Sequence, residues 1–255
     1  MDPNTLKALQ GAAGGSEPYT GDIAVGYSGS PYINVYPWDS GFGTKYSDPS
    51  TLPPNQGLRV AFSPDGADLA VGHEDSPYVS VYPWSSGFGT KYANPSTLPT
   101  GNDGWGVAFS PDGADLAVGH SYSPYVSAYP WSSGFGTKYS NPSTLPPDNT
   151  YRVAFSPDGA DLAVGHSNSP YVSVYPWSSG FGTKYSNPST LPTGYGKGVA
   201  FSPDGADLAV AHGNSPYISV YPWSSGFGTK YADPSTLPHA TSTTYGGRYV
   251  TFSPA

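Results

Sequence analysis

Four histidines, His73, His120, His166 and His212, stand at one recurring position of this 255-residue chain, with Tyr27 at the matching place near its start. Four imidazoles in register could hold a metal ion, which needs nitrogens about 2.1 Å from it. The recurrence opposes that use. Each His ends a D-L-A-V-x-H strand, second from a common axis. Strands lie about 4.8 Å apart, so copies on such strands stand at least roughly 10 Å apart. No metal site is expected, and these rings are assigned to packing between units. Asp65 and Asp68 recur as Asp112 and Asp115, Asp158 and Asp161, and Asp204 and Asp207. Paired carboxylates could do acid–base or calcium chemistry. The first of each pair is the Asp of S-P-D-G, however, which is turn chemistry. Catalysis also needs different residues at one centre rather than one residue many times. Cys is absent, which excludes thiolate ligands, Cys nucleophiles and disulfides. No G-x-S-x-G elbow occurs. No catalytic residue and no cofactor are expected. Lys45, Lys91, Lys138, Lys184 and Lys230 sit in G-T-K beside an outer strand, where lysine guards against edge-to-edge association.

The residues that differ between copies are more informative. Joints reading PNQGLR, TGNDGWG, PDNTYR, TGYGKG and HATSTTYGGRY precede an otherwise constant strand. They carry Leu58, Arg59, Trp105, Tyr151, Arg152, Tyr195, Lys197, Tyr245, Arg248 and Tyr249. Entering the innermost strands, these side chains should ring one mouth of a central channel. Rings with a few cations suit stacking on sugars or gripping a protein loop. Trp105 and Tyr151 are the expected stacking residues, and Arg59, Arg152 and Arg248 the forked donors. Neutral variation of loops is the competing explanation.

The elements that position them follow from a repeat. Y-P-W ends at Trp38, Trp84, Trp131, Trp177 and Trp223, and F-S-P starts at Phe62, Phe109, Phe155, Phe201 and Phe252. In one copy, VAF (Val153 to Phe155) is an apolar strand, S-P-D-G a turn, DLAVGH (Asp161 to His166) a second strand and YVSVYPW (Tyr171 to Trp177) a third. TKYSN supplies a weak outer strand. Four short strands in each unit predict an all-β, five-bladed β-propeller of four-stranded antiparallel blades. The first unit lacks its VAF strand, and RYVTFSPA (Arg248 to Ala255) supplies one at the other end. The C-terminal strand is therefore expected to pair into the first blade and close the ring. The expected divisions are an N-terminal segment, 1–20, and the propeller, 21–255. Blade 1 spans 21–52 plus 248–253, blade 2 spans 58–98, blade 3 spans 105–145, blade 4 spans 151–191 and blade 5 spans 197–237.

The run VAFSPDGADLAVGH…YVSVYPW resembles the tryptophan–aspartate (WD) repeat family, in a divergent form. The usual Trp-Asp position holds Tyr-Pro, as at Tyr82 and Pro83, and the family's Gly-His before the first strand is absent. Its buried Asp–His–Ser–Trp network is therefore not carried over.

Net charge is -8 with only 10 Lys and Arg and no basic cluster, which argues against nucleic-acid binding. No run of 18 apolar residues exists, so no membrane insertion is expected. In residues 1–15, Asp2 can cap a short helix carrying Leu6 and Leu9 on one face, with Gly14 and Gly15 as a hinge. A helix so short needs a partner surface. This opening resembles the start of virion proteins of marine tailed bacteriophages, and VYPWSSGFGTKY resembles propeller repeats of environmental phage genomes. The resemblance implies a non-enzymatic, tail-associated or host-adsorption protein of the phage particle. Residues 1–20 would join it to other virion proteins through Leu6 and Leu9, and the mouth would face a host glycan or protein. The alternative is a soluble, lectin-like carbohydrate-binding propeller.

Overall fold

A computed structural model describes residues 19–238 and 247–253. The described residues form strands and turns with no helix. Five antiparallel sheets follow one another along the chain. The first pairs β1 (Thr20–Gly26) with β2 (Ile33–Asp39). The others are three-stranded: β3 (Gly57–Phe62), β4 (Asp68–His73) and β5 (Val79–Pro83); β6 (Gly104–Phe109), β7 (Asp115–His120) and β8 (Val126–Pro130); β9 (Thr150–Phe155), β10 (Asp161–His166) and β11 (Val172–Pro176); and β12 (Gly196–Phe201), β13 (Asp207–His212) and β14 (Ile218–Pro222). The arrangement is propeller-like.

Each turn follows from its sequence. Ser63 Oγ donates to Asp65 Oδ1 at 2.6 Å and accepts from the Asp68 amide at 2.9 Å. Gly66 takes φ +72, which glycine adopts without strain. The middle strands DLAVGH are buried along their whole length in β4, β7 and β10, because both faces are covered. The apolar clusters lie between repeats. One joins Ala70, Val79 and Val81 to Val107, Leu116, Val118, Tyr129 and Trp131 of the next unit. Burying each such side chain contributes about 1.5–3 kcal/mol.

Polar bonds lock the same seam. Trp131 Nε1 donates to Asp68 Oδ2 of the preceding unit at 2.8 Å, and Tyr92 donates to the other Asp68 oxygen at 2.9 Å. Trp84 to Asp22, Trp177 to Asp115 and Trp223 to Asp161 repeat the bond, each at 2.8 Å. Tyr129 reaches back to the Thr97 carbonyl at 2.8 Å. Within each sheet, the His Nε2 and a Ser Oγ lie 3.0 Å apart: His73 with Ser80, His120 with Ser127, His166 with Ser173, and His212 with Ser219. A buried Asp–Trp and His–Ser network is thus present although the Trp-Asp dipeptide is not. The aspartate arrives from the neighbouring unit instead.

Three expectations are corrected. The TKYSN segments form no fourth strand. Each is tied to the sheet by one backbone bond, such as Tyr92 N to Val81 O at 2.9 Å. Pro83 ends the third strand and Pro95 follows Tyr92 closely, so the ladder cannot extend. The lysines do not guard a strand edge. Lys91 Nζ donates to the Tyr92 carbonyl and the Asn94 side chain, stapling its own loop. Finally, Arg248–Ser253 forms no regular strand, and the described residues pair β1 with β2 alone. The segment is held by side-on packing instead. A Cβ on Gly198 of β12 would lie 3.1 Å from the Tyr249 Cα. The Arg59 guanidinium of β3 stands 4.6 Å from the centre of the Tyr249 ring. Leu6, Leu9 and Tyr245 lie outside the described residues.

Candidate functional site at the joints

A β-bulge opens each complete inner strand. The register slips between Gly57 and Arg59, between Gly104 and Gly106, opposite Gly165 and His166, and between Gly196 and Gly198. The extra residues are Leu58, Trp105, Tyr151 and Lys197, each re-aimed by its bulge. Glycine is needed beside them: a Cβ on Gly57, Gly104 or Gly196 would strike the carbonyl of Tyr32, Tyr78 or Tyr171. One residue further on come Arg59, Gly106, Arg152 and Gly198, with Tyr249 at the equivalent place before Phe252.

A cavity of about 620 Å³ opens here, lined by Arg59, Tyr151, Tyr171, Tyr195, Lys197, Asn214, Arg248 and Tyr249, with Gly194 and Gly213. Of the residues expected at the mouth, Arg59, Tyr151, Tyr195, Lys197, Arg248 and Tyr249 therefore share one wall. Trp105 does not line it. Its ring is stacked on Tyr151, centroids 4.8 Å apart and planes at 18°, so one face is already used and Trp105 buttresses Tyr151. Arg152 does not line it either. Burial, with the Arg59 charge nearby, pushes its guanidinium down from its usual pKa, and the Tyr249 phenol opposes this. Burial, reinforced by the Arg248 charge, pushes the Lys197 ammonium down. Burial raises the Tyr151 phenol, which stays neutral.

The wall is strongly asymmetric in charge. The protein is acidic, yet all three of its arginines stand at this one end. Carboxylates stand at the same end, among them Asp148, whose charge acts on the Tyr151 phenol. Glu74 accepts from Gln56 at 2.6 Å, Asp75 accepts from Asn55 at 3.0 Å, and burial raises the pKa of Asp103. The ten lining residues include guanidinium, ammonium, phenol and amide groups, and no carboxylate or imidazole.

Tyr171 and Asn214 were missed by sequence reasoning. Tyr171 belongs to the recurrent S-P-Y turn, whose constancy reads as structure, and Asn214 stands just before that turn, where the other copies carry Gly29, Asp75, Tyr122 and Asn168. The available signal was topological, since that turn follows the second strand and must emerge beside the joints. Tyr171 has φ +70, an uncommon backbone for a ring-bearing residue, which sets it on the cavity wall.

No family model and no curated protein sequence matches the chain. Solved structures do. A putative 6-phosphogluconolactonase from Bacteroides uniformis superposes with a TM-score of 0.61 at 18% identity, covering 84% of this chain and 68% of its own. The periplasmic gluconolactonase of Pseudomonas aeruginosa gives 0.62 at 18%, with the same coverage. Sqt1 of Chaetomium thermophilum gives 0.61 at 20%, covering 82% of this chain and 57% of that one. These neighbours correct the expectation of a phage tail or adsorption protein, because all three come from cellular organisms and none is named as part of a virion. At such identity the likeness is one of fold: this chain shares the architecture of those proteins.

Proposed function

We propose that the protein is a carbohydrate-binding propeller that takes its ligand at the joint cavity. The observation that carries this reading is the cavity wall. Apart from the constant Tyr171 it is built from positions that vary between otherwise constant repeats, and it combines phenol rings with guanidinium and ammonium groups. Tyrosine rings pack on the apolar faces of sugar rings while arginine and asparagine bond the hydroxyls. A volume of about 620 Å³ lies within the range of roughly 300–1,000 Å³ typical of small-ligand sites. We read the wall as binding rather than turnover, since its ten residues offer no carboxylate or imidazole as a general base.

We further propose the finer architecture that such a mouth needs: five blades of a divergent WD-like repeat, closed by residues 247–253 between β12 and β3. The seam of Trp and Asp bonds supports it, with Trp38 and Asp207 as the pair left to complete the circuit. Removing residues 247–255 would then expose two edges, with self-association and a lower melting temperature. An unchanged, monomeric truncation would refute closure. The binding proposal is tested on a glycan array, with titration calorimetry on the hits and a lactone-hydrolysis assay beside it. Binding without turnover is the expected outcome. Hydrolysis with ordinary saturation kinetics, or silence across the array, would overturn the reading.

A further inference from the structure

The bulges set side chains in a row around the inner strands: Leu58, Trp105, Tyr151 and Lys197, with Arg248 at the matching place in the C-terminal segment. Two seams of this row close in the same way. A Cβ on Gly106 would lie 3.1 Å from the Arg152 Cα, and one on Gly198 would lie 3.1 Å from both the Tyr249 Cα and the Arg248 carbonyl oxygen. At the first seam the two bulge residues meet, with the Trp105 and Tyr151 rings 4.8 Å apart. At the second, the same approach sets Lys197 and Arg248 on adjoining backbones, and both line the cavity. The row therefore has an aromatic half, Trp105 and Tyr151, followed directly by a cationic half, Lys197 and Arg248. Arg59 brings a third cation to the same wall, its guanidinium 4.6 Å from the centre of the Tyr249 ring. The ten lining residues include no carboxylate, and Asp148 acts on Tyr151 from outside them. Burial and then the Arg248 charge hold the Lys197 ammonium below its ordinary pKa. Like charges on one partly desolvated wall are costly, and an anion in the cavity offsets that cost. An ammonium carries three donors and a guanidinium five, which leaves donors for a ligand beside contacts within the protein.

We infer that the Lys197–Arg248 edge of the cavity holds the carboxylate or phosphate group of an acidic sugar whose ring lies on Tyr151. The inference rests on the carbohydrate reading above and adds the charge class of the ligand and its direction in the site. A guanidinium fork matches both oxyanions, and an ammonium bonds either as a point charge, so the two sources share one chemistry. Tyr151 precedes Lys197 in the row, which puts the aromatic surface next to the cationic edge. Trp105, stacked on Tyr151, fixes the plane of that ring.

The test is calorimetry on the full chain at low salt with glucuronate, inorganic phosphate and glucose as separate probes. Glucuronate and phosphate are expected to bind, glucose at least about tenfold more weakly than glucuronate, and the two anions more weakly as salt rises. Lys197→Gln should weaken glucuronate roughly tenfold or more, the loss of one charge-assisted contact, and leave glucose unchanged. Arg248→Gln should do the same, and serves if the first variant fails to fold. Glucuronate binding without phosphate supports the edge and names a carboxylate as its oxyanion. Glucose binding as well as glucuronate, or glucuronate affinity unchanged in a folded variant, would overturn the edge and spare the carbohydrate reading. Equal losses for glucose and glucuronate would also overturn it and leave the two cations as shape alone. Phosphate binding with no sugar bound would spare the edge and overturn the carbohydrate reading. Silence with all three probes would remove both.

Discussion

The blade bodies and the joint cavity obey opposite rules. In the bodies most buried polar groups are partnered within the repeat or across its seam, Asp161 Oδ1 being an exception. His120 is fully buried and bonded to Ser127, and both Asp115 oxygens are occupied, by Tyr139 and Trp177. At the cavity, cations crowd together, Arg59 keeps a buried unpartnered nitrogen, and Tyr195 and Tyr249 are 53% and 62% exposed. The comparison teaches that this chain stores its stability in the residues it repeats. It spends part of that stability where the copies differ. Function is expected at the joint end because exposed rings and cations there are open to a ligand.

The sharpest way to break the contrast is a substitution in the seam. Trp131→Ala removes a ring in edge-to-face contact with Tyr92, Phe109 and Phe135 as well as the bond to Asp68. It should lower stability by about 3–5 kcal/mol, read by denaturant titration. A loss below 1 kcal/mol would mean the units do not depend on their seams. Acid should act next. Burial pushes His120 and His166 down to about 4 from an ordinary 6.5. The folded state therefore binds fewer protons than the unfolded chain between those values. Stability is fully present above pH 6.5 and falls as pH drops toward 4, by something of the order of 3 kcal/mol for each ring. A melting temperature flat across that window would contradict the neutral His–Ser pairs. Asp115→Ala should come third. It leaves the Trp177 and Tyr139 donors without their acceptor, at about 1–3 kcal/mol for each one that stays buried.

The smallest effect on folding should come from the cavity. Tyr249→Ala should change stability by no more than about 0.5 kcal/mol, as for other exposed positions. The same change should weaken carbohydrate binding by about 1–3 kcal/mol, as expected of an aromatic contact. A large fall in melting temperature with affinity preserved would invert the comparison.

Much of the fold was legible because repetition carries local rules. S-P-D-G specified its turn through Ser63, Asp65 and Gly66. The alternation and apolar runs of DLAVGH and VSVYP specified antiparallel pairs, since side-chain period and strand geometry are local properties. The fourth strand was over-read at TKYSN, where propensity suggested an extended segment and the flanking prolines limited it to one backbone bond. The lysines were over-read too, because whether Lys91 reaches solvent or the Asn94 side chain depends on how the loop folds back. At the site, the variable joints pointed to Arg59, Tyr151, Tyr195, Lys197, Arg248 and Tyr249. Trp105 was misplaced because its stacking partner comes from another repeat.

By itself, the sequence determined the repeat unit, its turns, its strands and the end at which chemistry accumulates, all set by neighbours a few residues apart. Tertiary structure decided what meets across the seams: Trp131 on Asp68 of the preceding unit, Trp105 on Tyr151, Arg59 beside Tyr249, and Tyr171 on the cavity wall. Those pairings join residues tens of positions apart. Their geometry depends on how closely whole sheets approach, which is fixed by packed cores and by glycines such as Gly106 and Gly198.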